Sequence, residues 1–194
     1  MSTNYTSRRY AMVNRWDPRH EVTVRRHLDP RPGERILEVG CGRGHLTKLL
    51  EGIGVDVIGI DANPEASELA GSERVKHMYA ESLTFDDDSF DKIASVHAIE
   101  HIPQLEQALG EMARVLKPGG RALFVYPAEP IQGIWAVPTA VILHGNPLKA
   151  RQVHCQWLWP RKVRAMTEPQ GFRHIHSEFN LLSSPQFVTV LERL

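Results

Sequence analysis

The stretch Arg35-Ile36-Leu37-Glu38-Val39-Gly40-Cys41-Gly42-Arg43-Gly44-His45 decides how this chain is read. An apolar strand runs into an acidic residue and a G-x-G-x-G turn, and Leu46-Thr47-Lys48-Leu49-Leu50 opens a helix behind it. Strand, glycine turn and helix N-terminus in that order bring backbone N–H groups close to a ligand. A dinucleotide fingerprint would be G-x-G-x-x-G, with a small third residue where helix and strand touch. Here that position is His45, and the third glycine comes one residue early. Glu38 is a second departure, because a carboxylate two residues before the first glycine would oppose the charge of a pyrophosphate. It suits a ligand that carries an ammonium and a sulfonium.

Outward from this stretch, strands and helices alternate. Residues 34–39 read as a buried strand, 44–52 as a helix, and 55–60 as a second strand ending on Asp61. A helix follows from Pro64, since proline fits a first turn. Residues 74–79 and 92–96 give a third and a fourth strand. Residues 105–116 carry apolar side chains near a 3.6 spacing and stop at Lys117-Pro118-Gly119-Gly120, after which 121–126 is a fifth strand. After a helix over 161–169, two strand-like runs (172–182 and 186–194) are joined by Ser183-Ser184-Pro185. So short a link demands an antiparallel pair. The expectation is an α/β fold: a Rossmann-like, doubly wound sheet of about seven strands, mostly parallel, with a C-terminal antiparallel hairpin. One domain spans 1–194, divided into an N-terminal cap (1–33, helical from Tyr5 to Leu28), a ligand-binding core (34–126), a lid over the substrate (127–160) and a C-terminal helix and hairpin (161–194). The lid is rich in proline and carries Trp135, Trp157 and Trp159; a connection of that length is usually functional.

Composition narrows the partners. The 194 residues hold 23 basic and 23 acidic side chains, so no global field favours nucleic acid. Basic clusters at Arg8-Arg9, Arg25-Arg26 and Arg161-Lys162-Arg164 read as solvated faces. Cys41 and Cys155 make no disulfide framework, which points to a reduced, cytoplasmic setting. The first residues lack the apolar core of a signal peptide. The longest apolar stretch, 134–143, is too short to span a bilayer and contains Pro138. A small-molecule substrate is therefore expected, with no nucleic acid and no stable membrane insertion; a homodimer is compatible with these features.

On the residues quoted, the chain resembles the class I S-adenosylmethionine-dependent methyltransferases, closely over about 35–126 and more loosely in the last strands. The resemblance implies S-adenosyl-L-methionine as cofactor. Gly40, Cys41, Gly42 and Gly44 would let the backbone approach its methionine part, with Glu38 behind the turn. Asp61, at the end of the second strand, would accept both ribose hydroxyls, with Ala62 beside it; the bland alternative is an N-cap for the helix at Pro64. After the third strand, Ala80 and Glu81 would supply polar contacts to the adenine and Tyr79 would stack. Val96 completes the set, and Asp86–Asp88 reads as a solvated turn.

The chemistry is expected where the fourth strand runs off into His97-Ala98-Ile99-Glu100-His101-Ile102. If this segment turns helically, His97, Glu100 and His101 share one face. A histidine there suits removal of a proton from an oxygen or nitrogen acceptor. The segment resembles the E-x-x-E-H run of quinone-biosynthesis O-methyltransferases and small-RNA 2′-O-methyltransferases, with His97 in place of the first glutamate. Two imidazoles and a carboxylate would also suit a metal, with His144 or His154 as fourth ligand; packing alone is the third reading. His101, His97 and Glu100 are taken as the catalytic set, and no residue is assigned to metal. The apolar lid suggests an apolar or aromatic acceptor methylated at oxygen. An N- or C-methyltransferase and a non-catalytic S-adenosylmethionine-binding module remain as alternatives. A nicotinamide oxidoreductase is opposed by His45 and Glu38.

Overall fold

The computed structural model of the chain describes residues 16–128, 141, 155–181 and 184–194. Five parallel strands form most of one sheet: β1 (Arg35–Val39), β2 (Asp56–Asp61), β3 (Val75–His77), β4 (Phe90–Val96) and β5 (Leu116–Pro127). β6 (Phe172–Asn180) and β7 (Gln186–Arg193) add an antiparallel pair, giving the order β3-β2-β1-β4-β5-β7-β6. This is the expected α/β, Rossmann-like, doubly wound sheet of seven strands.

Both faces of the sheet are covered, because its strands alternate apolar residues to each side. One face sends Leu37, Ile58, Ile93 and Phe124 into a core with Leu109 and Met112 of α4 (Leu105–Val115) and Val163 of α5 (Pro160–Thr167). The other sends Ile36, Val57, Ala94, Leu123 and Val188 against Val24 and Leu28 of α1 (Arg19–Leu28) and Leu46 and Leu50 of α2 (His45–Gly52). α3 (Ala66–Ala70) is a short helix beside β3. Buried on both sides, such strands read as near-continuous apolar runs.

Chain order changes direction between β1 and β4: β2 and β3 lie to one side, β4 and β5 to the other. Ligands of open α/β sheets bind beyond the strand ends at this switch point. The antiparallel hairpin contributes to the same edge. β7 runs against β5 and pairs Gln186 with Pro127, so its first residue arrives where the parallel strands end.

The boundaries differ from expectation in places. β5 starts at Leu116 rather than Arg121. The chain leaves α4 directly into extended backbone, and Lys117-Pro118-Gly119-Gly120 is taken up by a register shift, with Phe90 opposite Leu116 and Lys92 opposite Arg121. Asp87 and Asp88 are exposed but ion-paired to Arg114 and Arg193, so the acidic turn is fastened rather than merely solvated. Of the expected cap, Arg19–Leu28 is helical and 1–15 lie outside the described residues. Most of the expected lid, 129–140 and 142–154, is likewise outside them.

Candidate functional site

A cleft opens at the switch point, between the glycine turn that follows β1 and the segment that follows β4. The backbone N–H groups of Gly40 and Cys41 both donate to the Ile60 carbonyl, at 2.8 and 2.9 Å, which ties the turn to the end of β2. Gly40 is a close approach: a Cβ there would lie 2.1 Å from that of Ala98. Gly42 has φ 51° and nothing within 4 Å of where its Cβ would sit, so the turn leaves open space on the cleft side. Gly44 does not line the cleft; it packs toward Val75 and Ala70.

Two carboxyl groups form the acidic side. Glu38 is 4% exposed, and its Oε2 accepts the Thr47 hydroxyl at 2.5 Å. Burial pushes its pKa up to about 8 against the opposing hydrogen bonds from Thr47. Asp61 is held by two backbone donors, Gly42 N–H on Oδ2 and Asn63 N–H on Oδ1, each at 2.8 Å. Burial raises its pKa, and these two N–H groups work against the rise. Each carboxylate oxygen can accept more than one hydrogen bond, so the Asp61 oxygens keep capacity for a ligand. Asp61 does not cap the following helix. Asn63 takes that place, its Oδ1 accepting the Glu65 N–H at 3.0 Å just ahead of α3.

Ala62, Met78, Ala80 and Glu81 extend the lining, with Ile60 and Ile102 as apolar neighbours. Tyr79 is not part of it. Two residues past the end of β3, its side chain points outward, where it is 47% exposed and packs edge-on against His77 at 5.6 Å. The expected stacking therefore fails in this geometry.

Val96, His97, Ala98 and His101 make the opposite wall. The segment is not an α-helix: His97 takes a left-handed φ of 52°, and Ile99–His101 is a single 3-10 turn. Glu100, 2% exposed, lies behind the wall rather than in the cleft, with Oε1 3.5 Å from His97 Nδ1 and 3.9 Å from His101 Nε2. His97 Nε2 stands 2.9 Å from Gln186 Oε1, and His20 Nε2 reaches the same oxygen at 3.1 Å. An amide oxygen only accepts, so both imidazoles donate to it. Burial pulls the His97 pKa down, but the Glu100 carboxylate and the Gln186 oxygen outweigh it and the net shift is upward. His20 shifts downward, through burial and then the charge of His97. His97 is thus committed on both nitrogens, while His101 faces the cleft. As His97 Nε2 is turned to Gln186, these three residues do not converge on a common point as metal ligands would; His144 and His154 lie outside the described residues.

Three lining or supporting residues escaped the sequence reading: Trp16 and His20 around the start of α1, and Gln186 at the start of β7. Trp16 stacks near His45, with centroids 6.3 Å apart, and meets His20 edge-on at 5.5 Å. His20 and Gln186 are 166 positions apart in the chain, and no local pattern announces such a pair.

Comparison with known proteins agrees with this geometry. Residues 37–124 match the family described as "Methyltransferase domain". A demethylmenaquinone methyltransferase of Clavibacter sepedonicus is 36% identical over 107 residues, covering 52% of this chain and 44% of that protein. The uncharacterized methyltransferase YcgJ of Bacillus subtilis is 38% identical over 113 residues, covering 52% and 45%. Its crystal structure superposes with a TM-score of 0.66 at 23% identity over 89% of this chain and 96% of that one, which speaks to the fold. The O-methyltransferase cnsE of Penicillium expansum is 38% identical over 112 residues, covering 52% and 40%. The aligned part spans less than half the length of these curated relatives. Residues 37–124 thus match a methyltransferase domain, and the sheet is the one found in solved S-adenosylmethionine-dependent methyltransferases.

Proposed function

We propose that the chain transfers a methyl group from S-adenosyl-L-methionine to the oxygen of a small apolar or aromatic acceptor. The observation that carries this reading is the meeting, in one cleft, of an open glycine turn over Glu38 and Asp61 with the imidazole of His101 on the facing wall. The residues fit the cofactor on their own terms. The space at Gly42 admits a ligand against backbone, Asp61 suits a ribose diol, and a buried Glu38 invites a cation. Gly40, Cys41, Gly42, Ala62, Ala80, Glu81 and Val96 would complete the binding surface; Gly44 serves it indirectly by seating α2.

When bound, the cofactor supplies an electrophilic methyl group on a sulfonium. The protein's part is alignment and removal of the acceptor's proton. His101 takes that proton, and the Glu100 carboxylate, 3.9 Å from its Nε2, steadies the imidazolium. His97 and Glu100 act as positioning residues, held in turn by Gln186 and His20. The rings of Trp16, His20 and His45 give the cleft an aromatic rim, which supports an aromatic acceptor.

The test is calorimetric titration with S-adenosylmethionine, followed by labelled methyl transfer to a panel of phenols, quinols, amines and carbon acids. Methylated phenols or quinols are the expected products. Transfer only to amines or carbon acids would move the assignment to the N- or C-methyltransferase alternative. Binding without transfer to any acceptor would leave a binding module.

A further inference from the structure

A second histidine cluster lies away from the cleft, between α1 and the edge strand β6. His27, in the last turn of α1, is 8% exposed, and its Nε2 lies 3.0 Å from Glu178 Oε1. His176 Nε2 is 3.9 Å from the other oxygen, Glu178 Oε2. The two imidazole rings sit 5.1 Å apart, centroid to centroid. Ligand atoms of all three residues lie within 4.8 Å of one another. β6 changes register between His174 and His176, and beyond that irregularity His176 and Glu178 are two residues apart on one strand face.

We propose that His27, His176 and Glu178 bind a divalent transition-metal ion, with zinc the best match, and that the ion staples α1 to β6. Two imidazole nitrogens and one carboxylate are the donor set of borderline metals rather than of magnesium or calcium. A tetrahedral zinc ion with bonds of about 2.0–2.1 Å sets its ligand atoms about 3.3 Å apart. The present separations bracket that value, and the His176 side chain, 42% exposed, is free to close the remaining gap.

The staple has a structural consequence for the cleft. His20 stands seven residues before His27 on α1, roughly 10 Å along the axis. β6 is the hairpin partner of β7, whose first residue is Gln186. The metal would thus join α1 to the β6-β7 hairpin, whose other strand already meets α1 where Gln186 accepts from His20 behind His97.

The proposal is tested on tag-free protein stripped with chelator, by titrating zinc against a chromophoric chelator. One tight site per chain is expected, with a rise in melting temperature of roughly 5–10 °C at zinc near a hundred times its dissociation constant. His176→Ala and Glu178→Gln should each weaken zinc binding by more than about a hundredfold, since loss of a mere outer-shell partner already costs about 10–100-fold. His176 is exposed enough that its loss should leave the fold intact, which circular dichroism would verify. His101→Gln should leave zinc affinity unchanged. No stoichiometric binding, or binding that survives both His176→Ala and Glu178→Gln, would overturn the proposal and leave His27–Glu178 as an ordinary part-buried hydrogen bond.

Discussion

Glu38 is a residue whose physics departs far from that of its exposed counterpart. A carboxyl group whose folded pKa is about 8 keeps its proton at pH values where the unfolded chain has lost it. Its folded pKa is raised, so its contribution to stability is full below the ordinary carboxyl range and is lost as pH rises to about 8. The slope in that window approaches about 1.4 kcal/mol per pH unit. Glu38→Gln keeps the shape and the acceptor for Thr47 but removes the titration. The apo variant should therefore be more stable than wild type at pH 8, and its melting temperature should vary less between pH 5 and 8. An unchanged pH profile would show that Glu38 is ionised in the apo protein. His101 makes the complementary prediction for turnover. His101→Gln should lower kcat by about a hundredfold or more with cofactor affinity nearly unchanged, as removal of a general base does. His97→Gln keeps a donor for Gln186 and so should cost less; equal losses at both positions would assign the proton transfer to neither residue alone.

At the scale of elements, the glycine turn divides its work between neighbouring positions, and substitution should separate them. Gly40→Ala places a Cβ 2.1 Å from that of Ala98, so the turn and the segment after β4 cannot both keep their places. Loss of folding yield, or destabilisation of several kcal/mol, is expected in denaturant titrations. Gly42→Ala meets no atom, and its left-handed backbone costs about 1–2 kcal/mol. It should fold and yet bind S-adenosylmethionine more weakly, because the methyl group fills space on the ligand side. Full affinity in Gly42→Ala would mean that the ligand does not approach there. The β-α rhythm, the glycine turn and Asp61 were legible in the sequence because each is set by neighbours within a few residues. Gln186 was not, since it becomes a site residue only through the antiparallel register that sets it opposite Pro127. Tyr79 misled because one step along an extended chain reverses a side chain's direction, and Met78 and Ala80 took the inward places. The backbone sense of His97 was equally hidden, as nothing near it in the chain demands a positive φ.

Across the whole molecule, the cleft gathers the start of α1, the turn after β1, the ends of β2 and β3 and the exit of β4, so one ligand would tie together elements spread over the chain. None of the described helices is long and apolar enough to cross a membrane. A ligand that binds only the native state raises stability by mass action, about 2.7 kcal/mol at a hundred times its dissociation constant. For a chain of this length that amounts to roughly 5–10 °C in melting temperature. S-adenosylmethionine should produce such a shift and NAD should not, given His45 and Glu38 at the turn. The shift should also depend on pH in a direction fixed by Glu38. A cationic cofactor favours the ionised carboxyl, so binding must remove a proton wherever the apo group still holds one, below about pH 8. Affinity should rise with pH through that window, by up to about tenfold per unit. Glu38→Gln serves as the control, because it cancels the part of the pH dependence that belongs to this carboxyl while leaving the cofactor's own amine to titrate. Calorimetry between pH 6 and 8 in buffers of different ionisation heat would count the protons released. Wild type and Glu38→Gln releasing the same number would show that the cofactor's cationic end lies elsewhere in the cleft, and the role given to Glu38 would fall.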